Sequence, residues 1–279
     1  MASPPPELFY TGIVARAYAA LRSAAPDPRI YQRFVKMTGE PVLEIGCGDG
    51  DPMLDLVATG LDVEGLDSSP DMLTRCRSAA DARGLRVVLH EQPMQSMQLD
   101  RRFRSIYLAG PTFNLLPDDG VAQLALHQIA AHLAPGGSAL VPLFIPATAA
   151  PEDLGTTQSH TDTDGTILRL TALSQEHDDN ARLHITMLRY EVEAHGATAV
   201  EDRPWLLHWY TQAGFATLAE AAGLTVTAIL AGDGSPAAPR RRRSPSCFPW
   251  PQLGSRLPPG HRKSHGGPRT SRHRLPRKP

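Results

Sequence analysis

Apolar positions fall at helical spacing at the start of the chain and then contract into short blocks. Ile13, Val14, Ala17, Tyr18 and Leu21 mark one face of a helix predicted over about 7–24, and Ile30, Phe34 and Val35 mark a second over about 29–37. After Gly39, apolar runs alternate with helical segments: VLEI then about 52–58, VEGL then 70–82, RVVLH, SIYLA then 121–133, and SALVPLF. That alternation predicts crossover units on a parallel sheet. Ser69 followed by Pro70 reads as a capped helix start with a preset first dihedral, and Pro135-Gly136-Gly137 as the stop of the following helix and the beginning of the next strand.

From Thr166 to Leu207 the pattern becomes longer, β-branched and alternating, in TILRLTALS, RLHITMLRYEVEAH and TAVEDRPWLL, separated by DDNA and Gly196. These stretches predict an antiparallel sheet inserted into the parallel fold. A helix over about 211–222 and a strand, LTVTAIL, follow, and from Ser235 periodicity ends. The expected architecture is α/β, a doubly wound and mostly parallel sheet with an inserted antiparallel β cap. Residues 1–38 supply helices covering a ligand site, 39–234 form the main domain with the cap at about 160–210, and 235–279 form a disordered basic tail rich in Pro and Arg.

Charge sharpens that division. The formal net charge of -1 conceals a tail, 235–279, with twelve Arg or Lys and no acid, and a body, 1–234, with 16 basic and 29 acidic side chains. The acidic body is a poor match to nucleic acid or an anionic membrane, and the tail offers nucleic acid only nonspecific contact. Three cysteines without paired spacing, no signal-like N-terminus and no long apolar run give the expectation of a cytoplasmic protein with neither a metal site nor a membrane span.

The chemistry concentrates at PVLEIGCGDGDPML, residues 41–54, where Gly46, Gly48 and Gly50 follow the first strand. In a doubly wound sheet this turn faces the ligand. A dinucleotide fingerprint wants glycine where Asp51 stands, and a pyrophosphate would meet Asp49 and Asp51 at a cost of roughly 1–4 kcal/mol for like charges about 4 Å apart. The acids favour a cationic ligand such as a sulfonium. Asp67, ending the second strand 17 residues after Gly50, is placed to accept from both ribose hydroxyls.

The stretch VLEIGCGDGDPMLDLVATGLDVEGLDSSPDML resembles the first two motifs of class I S-adenosylmethionine-dependent methyltransferases, whose fold is Rossmann-like. LAPGGSALVPLF and YTQAGFATLAEAAGLTVTAIL resemble later parts of the same core, so that the likeness covers about 31–230. It implies S-adenosylmethionine as cofactor. By that resemblance Glu44, Gly46, Cys47 and Gly48 shape the methionine side of the pocket, Asp67 holds the ribose, and Ser68 and Met72 line the adenine. Pro93 stands in EQPM where many relatives have an acid, which leaves adenine contacts to Gln92, the Met94 backbone or nearby apolar side chains. Tyr18 is expected to fold over the cofactor, and Ala109 opens AGPTFN, which lacks the Asn-Pro-Pro-aromatic pattern of enzymes that methylate extruded DNA bases. That absence and the inserted sheet imply a small-molecule acceptor, its receiving atom nitrogen, oxygen or carbon.

His208 and Tyr210, at the end of the inserted sheet, are the candidates for a base, ahead of Tyr190, His177 and His184. His127 and His132, five residues apart on one helix, are expected at the surface. Two other readings stand beside the methyltransferase: a noncatalytic or regulatory protein that binds the same cofactor, and a dinucleotide oxidoreductase. After LTVTAIL the resemblance implies a hairpin and a further strand, but DGSP leads into no strand-like run. The expectation is an altered C-terminal reading frame.

Overall fold

The computed structural model describes residues 8–22 and 25–232. The tail from 235, and the expectations attached to it, lie outside the described residues. Five strands form an all-parallel sheet: β1 (Val42–Ile45), β2 (Val63–Asp67), β3 (Val88–Glu91), β4 (Phe103–Leu108) and β5 (Leu133–Leu140), in the order β3-β2-β1-β4-β5. The chain order reverses between β1 and β4, which opens a crevice beyond their carboxyl ends.

Strand alternation divides the core. Leu43, Ile45 and Ile106 point to the face covered by α5 (Asp119–His132) and α6 (Gln212–Ala221). Val42 and Tyr107 point to the opposite face, beneath α2 (Pro28–Thr38), α3 (Met53–Ala58) and α4 (Pro70–Ala82). Each large aliphatic side chain so buried contributes about 1.5–3 kcal/mol. The helices start where the sequence marks them. Asp27, Ser69, Asp118 and Thr211 each accept a backbone N–H of the first turn, and Pro28 and Pro70 follow two of these caps.

A second sheet, antiparallel, has the order β6 (Thr157–Thr161), β7 (Ile167–Asp178), β8 (Leu183–Ala194) and β9 (Ala197–His208). His195 and Gly196 both adopt positive φ, 52° and 78°, and close the β8–β9 hairpin between paired Ala194 and Ala197. α1 (Ile13–Leu21) packs Val14, Ala17 and Leu21 on this sheet against Leu168, Leu188 and Tyr190.

Three expectations need correction. LTVTAIL forms no strand: 224–229 have no ladder partner, only Leu230 makes an isolated bridge, and Val226 and Ile229 are 39% and 45% exposed. Its alternation describes a strand, but among the described residues no neighbouring strand accepts it. β5 begins at Leu133, ahead of Pro135, and ends at Leu140, short of the predicted VPLF, and a register shift opposite Phe103 and Ser105 lets Pro135-Gly136-Gly137 run through the strand. A Cβ on Gly137 would lie 2.9 Å from the Phe103 carbonyl oxygen, so this bulge needs glycine. His132 is buried, not superficial. Its Nε2 accepts the Leu99 amide at 3.0 Å and its Nδ1 donates to the Gln128 carbonyl at 2.8 Å.

Candidate functional site

An open pocket, about 950 Å³ with its solvent-filled mouth included, occupies the crevice. Its floor is the turn after β1, whose Gly46 and Cys47 amides both donate to the Leu66 carbonyl, at 2.6 and 3.0 Å. Gly46 has φ 73°, and a Cβ there would stand 2.4 Å from Thr112 Cγ2. The bare backbone is therefore required by Thr112, from the turn after β4, as well as by torsion.

Asp67 fastens this turn. Its Oδ2 accepts the Gly48 amide and its Oδ1 the Ser69 amide, each at 2.8 Å. Burial pushes its pKa up, opposed by those backbone donors. Ser68 and Met72 line the cavity beside it, Gln92 and Met94 line it after β3, and Ala109 after β4. The Gln92 side chain is engaged elsewhere: Oε1 accepts the Gln98 amide at 2.7 Å and Nε2 donates to the Gln98 carbonyl at 3.2 Å. Cys47 is in the wall, its thiol raised by its hydrogen bond with Cys76 and by burial, which makes it a poor nucleophile.

Glu44 is placed differently from the sequence expectation. It does not line the cavity, because alternation along β1 turns it toward the α2 face with Tyr107 and Tyr31. Its Oε2 accepts the Tyr107 hydroxyl at 2.6 Å, while Oε1 is buried with no partner. Desolvation raises its pKa well above the ordinary carboxylate range. A raised carboxyl contributes its stability at low pH and loses it as pH rises through the folded pKa. Glu44→Gln is therefore expected to melt a few degrees above the parent at neutral pH, with the gap closing toward acid; equal gaps across a thermal-unfolding pH series would contradict this.

The N-terminal segment closes the cavity from above. Tyr18 of α1 lines it and meets Tyr10 edge-on at 5.3 Å, with burial and Asp49 raising the Tyr18 hydroxyl to about 12. Tyr10 lines it too and was not anticipated from the sequence, where it belongs to no periodic face. The Tyr10 carbonyl accepts the Ser69 hydroxyl at 2.6 Å, the Gly12 amide donates to Asp71 at 2.6 Å, and Arg203 of β9 donates to the Phe9 carbonyl at 2.7 Å. Arg22, also unforeseen, pairs with Asp49 at 3.5 Å and with Asp51. The loop acids thus already hold one cation. The wall keeps a negative balance through Asp67.

His208 and Tyr210 are brought together, but not into the cavity wall. His208 Nδ1 and the Tyr210 hydroxyl are 2.8 Å apart, and the Tyr210 ring is packed against Phe113 with the Arg182 guanidinium 5.6 Å from its centroid. Burial and Arg182 lower the His208 pKa, against the opposing pull of Asp119 and Asp118. Asn114 ties this end of β9 to the core. Its amide donates to the His208 and Phe144 carbonyls, both at 2.9 Å, and its oxygen accepts the Phe144 amide at 3.1 Å. His177 and His184 face each other across β7 and β8 at 3.2 Å, and Tyr190 is buried against Phe9; none of the three is in the cavity wall.

Residues 42–137 match the family described as a methyltransferase domain. The dTDP-3-amino-3,6-dideoxy-alpha-D-glucopyranose N,N-dimethyltransferase of Streptomyces fradiae is 28% identical over 156 residues, covering 52% of this chain and 59% of that protein. The dTDP-3-amino-3,4,6-trideoxy-alpha-D-glucopyranose N,N-dimethyltransferase of Streptomyces venezuelae is 30% identical over 146 residues, covering 52% and 58%. The chain spans less than two thirds of the length of either relative. In fold it is similar to the CcbJ methyltransferase of Streptomyces caelestis, with a TM-score of 0.62, 24% identity and coverage of 78% of this chain and 88% of the other. The sugar N-methyltransferase KedS8 of Streptoalloteichus sp ATCC 53650 has a TM-score of 0.63 at 18% identity, covering 86% and 91%.

Proposed function

We infer that this chain, which belongs to the class I S-adenosylmethionine-dependent methyltransferases, holds S-adenosylmethionine in the cavity and methylates an amino nitrogen of a small-molecule acceptor. The observation that carries the reading is the glycine turn braced by both Asp67 oxygens at the reversal point of the sheet. The choice of nitrogen is supported by the two dimethyltransferase relatives, both of which are named for amino sugars.

The residues present fit the cofactor. Gly46 and Gly48 admit a ligand against bare backbone, and Asp67, its two oxygens oriented by amides, keeps lone pairs for ribose hydroxyls. Met72 and Met94 give an apolar seat for a base, and Asp49 stands where an ammonium is favoured. When bound, the cofactor supplies a methyl group already activated on a sulfonium, so the protein's contribution is alignment and exclusion of water. Tyr10 and Tyr18, carried by the N-terminal segment that packs on the antiparallel sheet, close the cavity against solvent. Because His208 and Tyr210 stand outside the wall, the reaction is assigned no fixed base.

Titration with S-adenosylhomocysteine, with methyl transfer followed over a panel of small amines, tests the reading: no saturable binding would end it. Arg22 gives a finer check. Its guanidinium opposes any cation brought to Asp49 and Asp51, so Arg22→Ala is expected to raise the ratio of S-adenosylmethionine to S-adenosylhomocysteine affinity by about fivefold, a modest value because the pair is partly solvent-screened. Calorimetry with both ligands gives that ratio directly.

A further inference from the structure

The antiparallel sheet sets two imidazoles against each other, outside the cofactor cavity. His177 and His184 are seven residues apart in sequence and meet because the β7–β8 register makes them direct partners, with their Nδ1 atoms 3.2 Å apart. The turn that joins the strands holds this register: Asp178 Oδ1 accepts the Asn180 and Ala181 amides at 2.8 and 2.9 Å. The Trp209 ring lies parallel to His177, with 6° between the planes and centroids 6.3 Å apart.

The outer nitrogens decide what the inner ones can do. Asp179 Oδ1 is 3.2 Å from His177 Nε2, and an ionised carboxylate only accepts, so that nitrogen carries the hydrogen. Nδ1 of the neutral His177 ring is therefore a bare lone pair aimed at the second ring. His184 Nε2 has a partner of its own, the Thr186 hydroxyl, also at 3.2 Å. When that Nε2 carries the hydrogen, the two Nδ1 lone pairs face each other and a cation between them is favoured. In the other His184 tautomer an Nδ1–H donates across the gap, and an ion entering it sends that hydrogen to Nε2, with both rings neutral before and after.

The spacing suits a metal. Two imidazole nitrogens on a tetrahedral zinc ion, each about 2.0–2.1 Å from it, stand roughly 3.3–3.4 Å apart. Ligating histidines also give their second nitrogen to a carboxylate or another oxygen, which fixes the ring and its tautomer, and both rings here have that support. Glu176, Asp178 and Asp179 flank His177 in the chain, a local charge that favours a cation. One ring is buried and the other reaches solvent: His184 is 3% exposed, whereas the His177 side chain is 23% exposed beside an open Asp179. Among the described residues no three such side chains converge on one point, so the remaining coordination positions fall to water.

We propose that His177 and His184 form a zinc site that ties β7 to β8 beside their turn, with Asp179 and Thr186 orienting the two rings. Imidazole pairs select zinc, copper or nickel over magnesium and calcium, whose preferred ligands are oxygens. Neither ring is in the cavity wall, so the ion staples the sheet, and the site stands apart from the methyltransferase reading.

The test strips the full chain with a chelator and titrates it with Zn2+, by calorimetry and by thermal unfolding. His261, His265 and His273 are present as further zinc ligands, so the measured quantity is the difference between the parent and the His177→Gln and His184→Gln variants. The parent is expected to hold one more Zn2+ at micromolar concentration than either variant, which bind at that site at least about tenfold more weakly. Saturating zinc is expected to raise the melting temperature of the parent by a few degrees and that of the variants by less. Proton–nitrogen NMR spectra of the imidazoles identify the ligating atoms, with zinc-dependent shifts expected at Nδ1 of both His177 and His184. If His184→Gln does not fold, His177→Gln, at the more exposed ring, decides alone. Identical isotherms for the parent and His177→Gln, or Nδ1 resonances of both rings unmoved at saturating zinc, overturn the proposal.

Discussion

Gly46→Ala is expected to remove measurable cofactor binding while leaving the sheet folded. Two independent obstacles meet at this residue. A non-glycine side chain at φ 73° costs about 1–3 kcal/mol. The new Cβ would also fall 2.4 Å from Thr112 Cγ2, and Thr112 is not free to swing away because its hydroxyl donates to the Ala109 carbonyl at 2.9 Å. Either the turn or the 112–115 segment has to move, and both line the cavity. Removing only the offending methyl, in a Gly46→Ala and Thr112→Ser double variant, is expected to recover part of the affinity but not all of it, since the torsional cost stays. Circular dichroism alongside S-adenosylhomocysteine calorimetry separates misfolding from loss of the seat. Unchanged affinity in the single variant would show that the ligand does not rest on this turn.

Asp67→Ala carries the second large effect, a loss of about 100-fold in cofactor affinity. The substitution removes the acceptor of two charge-assisted backbone hydrogen bonds and, in the proposed complex, of the ribose contacts; bonds to a charged group are worth about 1.5–3 kcal/mol each. It also gives a pH signature. The ionised carboxylate accepts all of these bonds, and burial has raised its pKa, so affinity in the parent falls on acidification before an ordinary aspartate would protonate. The alanine variant is expected to bind weakly and without that acid limb. A parallel decline in both proteins would place the titrating group elsewhere.

The parallel core was legible because its signals are local. VLEI and VEGL are short, mostly apolar runs bounded by turn residues, and Ser69-Pro70 sets the start of α4 at the first predicted residue, while the close of α4 at Ala82 also agrees. The wall residues that sequence identified, Gly46, Gly48, Asp67 and Met72, sit within one turn of those strands, where chain direction alone fixes them. What sequence missed depends on distant partners. TQSHT has no apolar alternation and becomes β6 only by pairing with β7, and LTVTAIL has the alternation but no strand beside it. Arg22 and Tyr10 reach the site because α1 is packed on a sheet that begins more than 130 residues later. Glu44 shows the same limit in reverse: motif spacing assigned it to the pocket, and strand alternation turned it into the core.

Asn114 holds the end of β9 through a single side chain, bonding one carbonyl from that strand and a peptide from the segment after β5. The antiparallel sheet also meets the parallel core through Arg182 and Asp119, and neither tie involves the glycine turn. Sequence drift in β6 to β9 can therefore reshape this sheet while leaving the bend after β1 undisturbed.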